Sequence, residues 1–175
     1  MAASAEAEVQ IDLAPRWIHG KNGAEAAPAV LEDKILQIRQ AIFEDYAALC
    51  AIDAVAAASP ERRDRIRDWL ASSRCYIAAG KDGVPVAYGV LTHDFFEQAF
   101  IQIVMVRREY LRQGFGAAMV SYLQSIARGS KLFSSTNLSN GPMQMLFAKS
   151  GFRISGYIDN LDDGDPEIIF YHPAG

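Results

Sequence analysis

Cysteine is scarce in the 175-residue chain: only Cys50 and Cys75 occur, which removes a disulfide framework from consideration. Each reads instead as a small buried thiol of a reducing compartment. The three histidines, His19, His93 and His172, lack ligand spacing, so no metal centre is expected. No apolar run approaches the ~18 residues of a membrane span. The alanine-rich, acidic stretch Met1–Glu8 has no basic n-region of a secretion signal. No membrane partner and a cytoplasmic location follow as expectations. A net charge of −4 argues against nucleic acid as a partner. A local absence is more informative. From Tyr110 to Ile158 there is no Asp or Glu, although Arg112, Arg128, Lys131, Lys149 and Arg153 all occur there. After Arg153 the sign reverses, with Asp159, Asp162, Asp163, Asp165 and Glu167 and no further Lys or Arg. The basic half predicts a positive field around the glycines at 114 and 116. The acidic stretch predicts either a cation-binding surface or plain turn chemistry.

What is present suits one domain with a substantial core, half of the residues being apolar. Residues 1–33 are poor in large apolar side chains and read as a mobile leader, with Val9–Leu13 as a short edge strand in the alternative; the domain is expected over 34–175. Ile35–Arg39 reads as its first strand. Ile42, Phe43, Tyr46, Leu49, Ile52 and Val55 mark one helix running out near Ser59. Ser59-Pro60-Glu61 supplies a cap, a first-turn proline and an acid for a second. The arginines Arg62, Arg63, Arg65 and Arg67 of that helix read as a solvated face. Cys75–Ala79 and Val84–Thr92 form a hairpin about Gly80–Gly83, and His93–Gln98 turns back into a strand over Ala99–Val106. Its part Ile101–Val106 alternates too little for a half-exposed strand and is expected to be buried on both faces. Lys131–Ser135, Arg153–Ile158 and Glu167–His172 complete the strands.

The chain turns on Val104–Arg128. An apolar strand runs into Arg112-Gln113-Gly114-Phe115-Gly116-Ala117, and a helix follows with Phe115, Ala118, Met119, Tyr122, Leu123 and Ile126 on one stripe. Glycines at a helix mouth let main-chain N–H groups close on an anion, which the helix dipole also favours. A P-loop would need Lys-Ser/Thr where Ala117-Ala118 stands. A dinucleotide fingerprint would need Gly or Ala in place of Met119 and an acid where Ser134 and Ser135 fall.

The glycine segment resembles the acyl-CoA-binding motif of the GNAT family of N-acetyltransferases, Gln/Arg-x-x-Gly-x-Gly/Ala. Asn140-Gly141-Pro142-Met143-Gln144-Met145-Leu146-Phe147 through Gly151-Phe152 is similar to the family's later helix, Asn-x-x-Ala-x-x-Leu-Tyr-x-x-x-Gly-Phe. A narrower likeness to one branch lies in Phe95-Phe96, Ser134–Asn137 and the Asp-Gly-Asp-Pro-Glu loop at 163–167. The resemblance covers roughly Lys34 to His172. It implies an α/β (α+β) fold: a single GNAT-like domain whose mixed, mostly antiparallel sheet is flanked by about four helices.

The resemblance also implies acetyl-CoA as co-substrate, held by Val104, Met105, Val106, Arg112, Gln113, Gly114, Phe115, Gly116, Ala117, Asn140, Met143 and Phe147. The acetyl group passes directly to an amine, of a small molecule or a peptide, so no nucleophilic Cys or Ser is required. A main-chain N–H of the splayed strand would bond the thioester oxygen. Phe147 stands where the family's usual acid is a Tyr, which leaves Tyr157 or a water for that part. Gln102 occupies part of the strand where some members carry a catalytic Glu, which leaves Glu167 and Glu97 as candidate bases. Phe95 and Phe96 could wall an acceptor pocket, and Asp162 and Asp163 could draw in a cationic acceptor. Family likeness also suggests a second copy of the chain as partner. Two other readings stand beside this one: an acyl-CoA sensor of the same fold without turnover, and a nucleotide-binding or protein-interaction domain with an accidental glycine turn.

Overall fold

The computed structural model describes residues 37–80 and 82–174. The leader expected over 1–33 and the alternative strand Val9–Leu13 lie outside them. Seven strands form one sheet in the order β1-β2-β3-β4-β5-β7-β6. They are β1 Gln37–Gln40, β2 Cys75–Ala79, β3 Pro85–Phe95, β4 Gln98–Val106, β5 Leu132–Asn137, β6 Arg153–Ile158 and β7 Glu167–His172. Five α-helices accompany them among the described residues: α1 Tyr46–Ile52, α2 Ala54–Ala58, α3 Pro60–Ala71, α4 Phe115–Ile126 and α5 Gly141–Lys149. Every strand pairing is antiparallel except that of β4 with β5. Two cores result. Phe115, Met119, Val120 and Leu123 of α4 and Phe147 of α5 pack on one face of the sheet. Leu49, Ile52, Ala56, Ile66 and Leu70 of α1–α3 pack on the other.

The helix count among the described residues is five, where about four were expected, because Asp53 breaks the first one. Its backbone is extended (φ −88°, ψ 103°), and its side chain caps α2 by accepting from the N–H groups of Val55 and Ala56. Asp53 is wholly buried. Burying a carboxylate costs several kcal/mol unless its oxygens are bonded. The Tyr88 hydroxyl donates to it at 2.6 Å, and Arg62 Nε lies 3.6 Å away. Burial, and then the bond to Asp53, push the Tyr88 hydroxyl pKa above its usual value. The arginine run is therefore only partly a solvated face: Arg62 serves Asp53 and Arg63 donates to the Ala56 carbonyl. Arg67 pairs with Asp64 and stacks over Tyr46.

The α3 start agrees with the sequence, Ser59 Oγ accepting from Arg62 N–H with Pro60 in the first turn. β3 runs to Phe95, so the turn back narrows to Phe96 and Glu97, both at positive φ. The expectation of double burial for Ile101–Val106 fails beyond Ile101: Gln102 is exposed and Ile103–Val106 are half-buried.

Asp53→Ala removes a cap and strands the Tyr88 hydroxyl, and should lower stability by about 3 kcal/mol in urea denaturation. A second test concerns Cys75, whose thiol burial pushes up to about 12. In the unfolded chain a thiol ionises near ~8.5, so above that pH the unfolded state loses a proton that the folded state keeps. Stability should then fall as pH rises from about 8.5 to 12, by up to ~1.4 kcal/mol per unit from this group. Cys75→Ala should flatten that slope.

Candidate active site

The site begins at a bulge. Leu91 lies opposite Ile101 and Val90 opposite Ile103, which leaves Gln102 unpaired and bends β4. Pairing of β4 with β5 runs only from Ala99↔Leu132 to Ile101↔Ser134. At the point of parting the buried Ser134 Oγ donates to the Ile101 carbonyl at 2.9 Å. Beyond it the two parallel strands separate. Arg107 N–H donates to the Val86 carbonyl at 2.8 Å while Val106 lies opposite Ala87, so Val106 occupies a non-hydrogen-bonded position toward β3. By alternation the main-chain N–H and C=O groups of Val106 and Val104 point away from β3, into the gap. Those of Met105 point to β3.

The mouth of α4 faces the same end. Gly114 is its N-cap at φ +90°, and Arg112 holds φ +59°, a left-handed conformation that side chains resist. No side chain caps α4 and no acid occupies its first turn. The first-turn amides of Gly116 and Ala117 have no partner within the helix, and the dipole adds about half a positive charge. A Cβ on Gly116 would stand 3.2 Å from Leu146 Cδ1 and 3.7 Å from Val106 Cγ2, so glycine lets α4 close on both α5 and β4. Aligned on Gly114 and Gly116, the pattern Gln/Arg-x-x-Gly-x-Gly/Ala begins at Leu111, not Arg112, and its basic residue stands one place late. Gln113 Nε2 donates to the Glu109 carbonyl. Asn140 caps α5, accepting from Met143 N–H at 3.3 Å while its amide donates to Thr136 Oγ1 at 3.0 Å. Met143 is half-buried against the α4 core.

Beyond the gap, Glu167 lies beside Asn137 at the same end of the sheet. It precedes Ile168, which belongs to the α4–α5 core, so the Glu167 side chain projects from the opposite face. The acidic loop is tied to the end of β5. Asn137 Nδ2 donates to Asp162, and Ser139 donates to Asp165 from both its N–H (2.8 Å) and its Oγ (2.6 Å). Turn chemistry thus accounts for Asp162 and Asp165, while Asp163 is exposed.

Several sequence expectations are corrected. Phe95, Phe96 and Glu97 sit at the β3–β4 turn, about 25 Å from Val106 along β4, because the hairpin puts its turn at the opposite end of the sheet. Phe95 stacks there on Phe100 at 4.9 Å and contacts Phe133, and Phe96 is exposed. These three do not line the gap. Tyr157 lies on β6, the sheet edge, with β7 between it and β5. Phe147 is wholly buried between Phe152 and Phe170, a core ring out of reach of a ligand in the gap. The positive field is divided: of the five cations counted, only Arg112 stands at the glycine mouth. Arg107 and Arg108 precede it in the chain, Arg107 with its Nε buried and without a hydrogen-bond partner. Gln102 and Ser134 set the gap, and the only sequence sign of it was the strand's weak alternation.

An acetyltransferase (GNAT) family model matches residues 35–152. The crystal structure of a GNAT-family acetyltransferase from Bacillus cereus is 32% identical, with a TM-score of 0.72 over 81% of this chain and 99% of that one. The ribosomal-protein-S18-alanine N-acetyltransferase of Escherichia coli is 22% identical (TM-score 0.69, covering 81% of this chain and 95% of that one). Ard1 from Thermoplasma volcanium is 17% identical (TM-score 0.70, covering 80% and 98%). The latter two show a shared fold alone. No curated protein matches. This chain belongs to the GNAT family of acetyltransferases, with that family's single α/β domain on a seven-stranded mixed sheet. Acetyl-CoA is the family's co-substrate, and the gap fits it: two inward main-chain amides stand before an uncapped helix mouth kept open by glycine.

Among the described residues no helix is long and apolar enough to cross a membrane. Gly114→Ala puts a Cβ at φ +90° and should cost ~1–2 kcal/mol of stability. It should also weaken coenzyme A binding about tenfold or more by calorimetry, with the circular dichroism spectrum retained.

Proposed function

We propose that the chain is an N-acetyltransferase that moves an acetyl group from acetyl-CoA to an amine. The parting of β4 from β5 carries the reading, since it aims the main chain of Val104 and Val106 into a gap that opens at the mouth of α4. When bound, acetyl-CoA supplies an acetyl group already activated as a thioester. The rest falls to this chain. Arg112, Gln113, Gly114, Phe115, Gly116 and Ala117 cradle the diphosphate, with Arg107 and Arg108 adding charge. The Val104 and Val106 amides are fixed donors for an oxygen that gains negative charge, and an aligned donor of this kind is worth on the order of 10²–10³ in rate. Met105 backs that segment from the other face. Asn140 and Met143 border the gap on the α5 side.

Glu167 takes the proton from the amine. It is the one candidate base at the right end of the sheet, and it faces away from α4, so cofactor and acceptor approach from opposite sides. Asp163 and the loop around Asp162 favour a positively charged acceptor. Phe147 carries no proton, and solvent supplies the one needed at the departing sulfur.

The test is thiol release from acetyl-CoA across a panel of small and peptide amines. Turnover with at least one amine is expected. Glu167→Gln should lower kcat by roughly 10²–10⁴ while leaving coenzyme A affinity unchanged. Tight coenzyme A binding with no thiol released across a broad panel would assign the chain to sensing instead.

A further inference from the structure

We propose that the domain carries a second ligand site at the far end of α4, a cavity that takes a small hydroxylated anion such as a phosphate ester or a hydroxycarboxylate. The cavity measures about 380 Å³, within the range of small-molecule sites. The last turns of α4, the end of α5, the first residue of β5 and the last of β7 line this half-open hollow. It lies about 18 Å from Gly114, a helix length away from the glycine mouth, and none of the cofactor or acceptor residues named above lines it.

The lining is specific in its chemistry. Arg128 supplies a guanidinium, and the hydroxyls of Ser121, Ser130 and Ser150 supply donors and acceptors. Among the described residues no carboxylate lines the cavity. Lys131 and Lys149 are chain neighbours of lining residues, and neither they nor Arg128 enters an ion pair with any described residue. His172 Nδ1 lies 2.9 Å from the Pro173 carbonyl, which can only accept. Its Nε2 lies beside Gly151 and is able to hydrogen-bond a ligand hydroxyl. An anion on Arg128 with a hydroxyl on Nε2 uses both groups, whereas a bare cation would meet Arg128 head on.

Two helix C-termini converge here, and their half-charges would oppose an anion. The protein has already occupied much of that negative edge. Gln124 Nε2 donates to the Ser150 carbonyl and Ser125 Oγ to the Tyr122 carbonyl. Ser130 N–H donates to the Ala127 carbonyl and Ala127 N–H to the Leu123 carbonyl. With those acceptors filled, the full charge of Arg128 prevails.

The experiment is calorimetric titration of the full chain with glycerol 3-phosphate, citrate and glycerol at fixed ionic strength. The two anions should bind and glycerol should not. Arg128→Gln, an exposed change that leaves the core intact, should weaken the anions about tenfold or more, while saturating coenzyme A should leave their affinity unchanged. Absence of anion binding, equal affinity in Arg128→Gln, or displacement by coenzyme A would overturn the proposal. Because the first two readouts need no coenzyme A, failure of the acetyltransferase reading would not be mistaken for failure of this one.

Discussion

One unpaired residue governs the architecture. Gln102 adds a position to β4 that β3 does not match, and the strand bends away from its parallel neighbour just where the Ser134–Ile101 bond holds them for the last time. A continuous ladder would have consumed the main chain of Val104 and Val106. The parting leaves those groups pointing away from β3, toward the side that β5 has left. The other placements follow. Helix α4 must begin beside Val106, which Gly116 permits by carrying no Cβ. The end of β5 must turn over the gap, and the acidic loop is bonded to it there.

The supporting half of the domain is built to keep that bend fixed. β3 forms the rail against which β4 bends, and Tyr88 on β3 is anchored by its hydroxyl to the buried Asp53. Asp53 in turn ends one helix and begins the next, so the α1–α2 break and the position of β3 are set by one carboxylate. The break is thus a tertiary requirement: the alanines around it would continue as helix if local propensity decided.

This explains what could be read without coordinates. Caps and breakers were legible because their chemistry is local: Ser59-Pro60, Asn140 and Gly151 each stand where their side-chain oxygen or φ predicts. The order β2-β3-β4 was legible because hairpins join neighbours. The Asp53 break was not, since its decisive partner, Tyr88, is far along the chain. The placement of Phe95, Phe96 and Glu97 failed for a related reason. Composition suggests a pocket, but only topology says at which end of the sheet a hairpin turn lies. Tyr157 failed because the swap of β6 and β7 puts the later strand inside. Reading the cations at 112–153 as one field treated proximity in sequence as proximity in space.

The acid-free stretch from Tyr110 to Ile158 then has a physical account that covers both of its ends. It contains the whole of α4 and α5, whose C-terminal ends both reach the cavity, while the mouth of α4 faces the gap. On the readings proposed above, a carboxylate in the first turn of α4 would compete with an incoming diphosphate for the same amides, and one near Arg128 would cancel the one cationic side chain that lines the cavity among the described residues. Each end therefore excludes acids for its own reason. The positive charge is split accordingly: the glycine mouth takes its charge from Arg107, Arg108, Arg112 and the dipole, and the distal end must add Arg128, Lys131 and Lys149 against the dipole. The cations accumulate where the backbone field is least favourable to an anion. Lys149 in the last turn of α5 also complements the negative end of its own helix, so the same cations serve the helix termini and the cavity together.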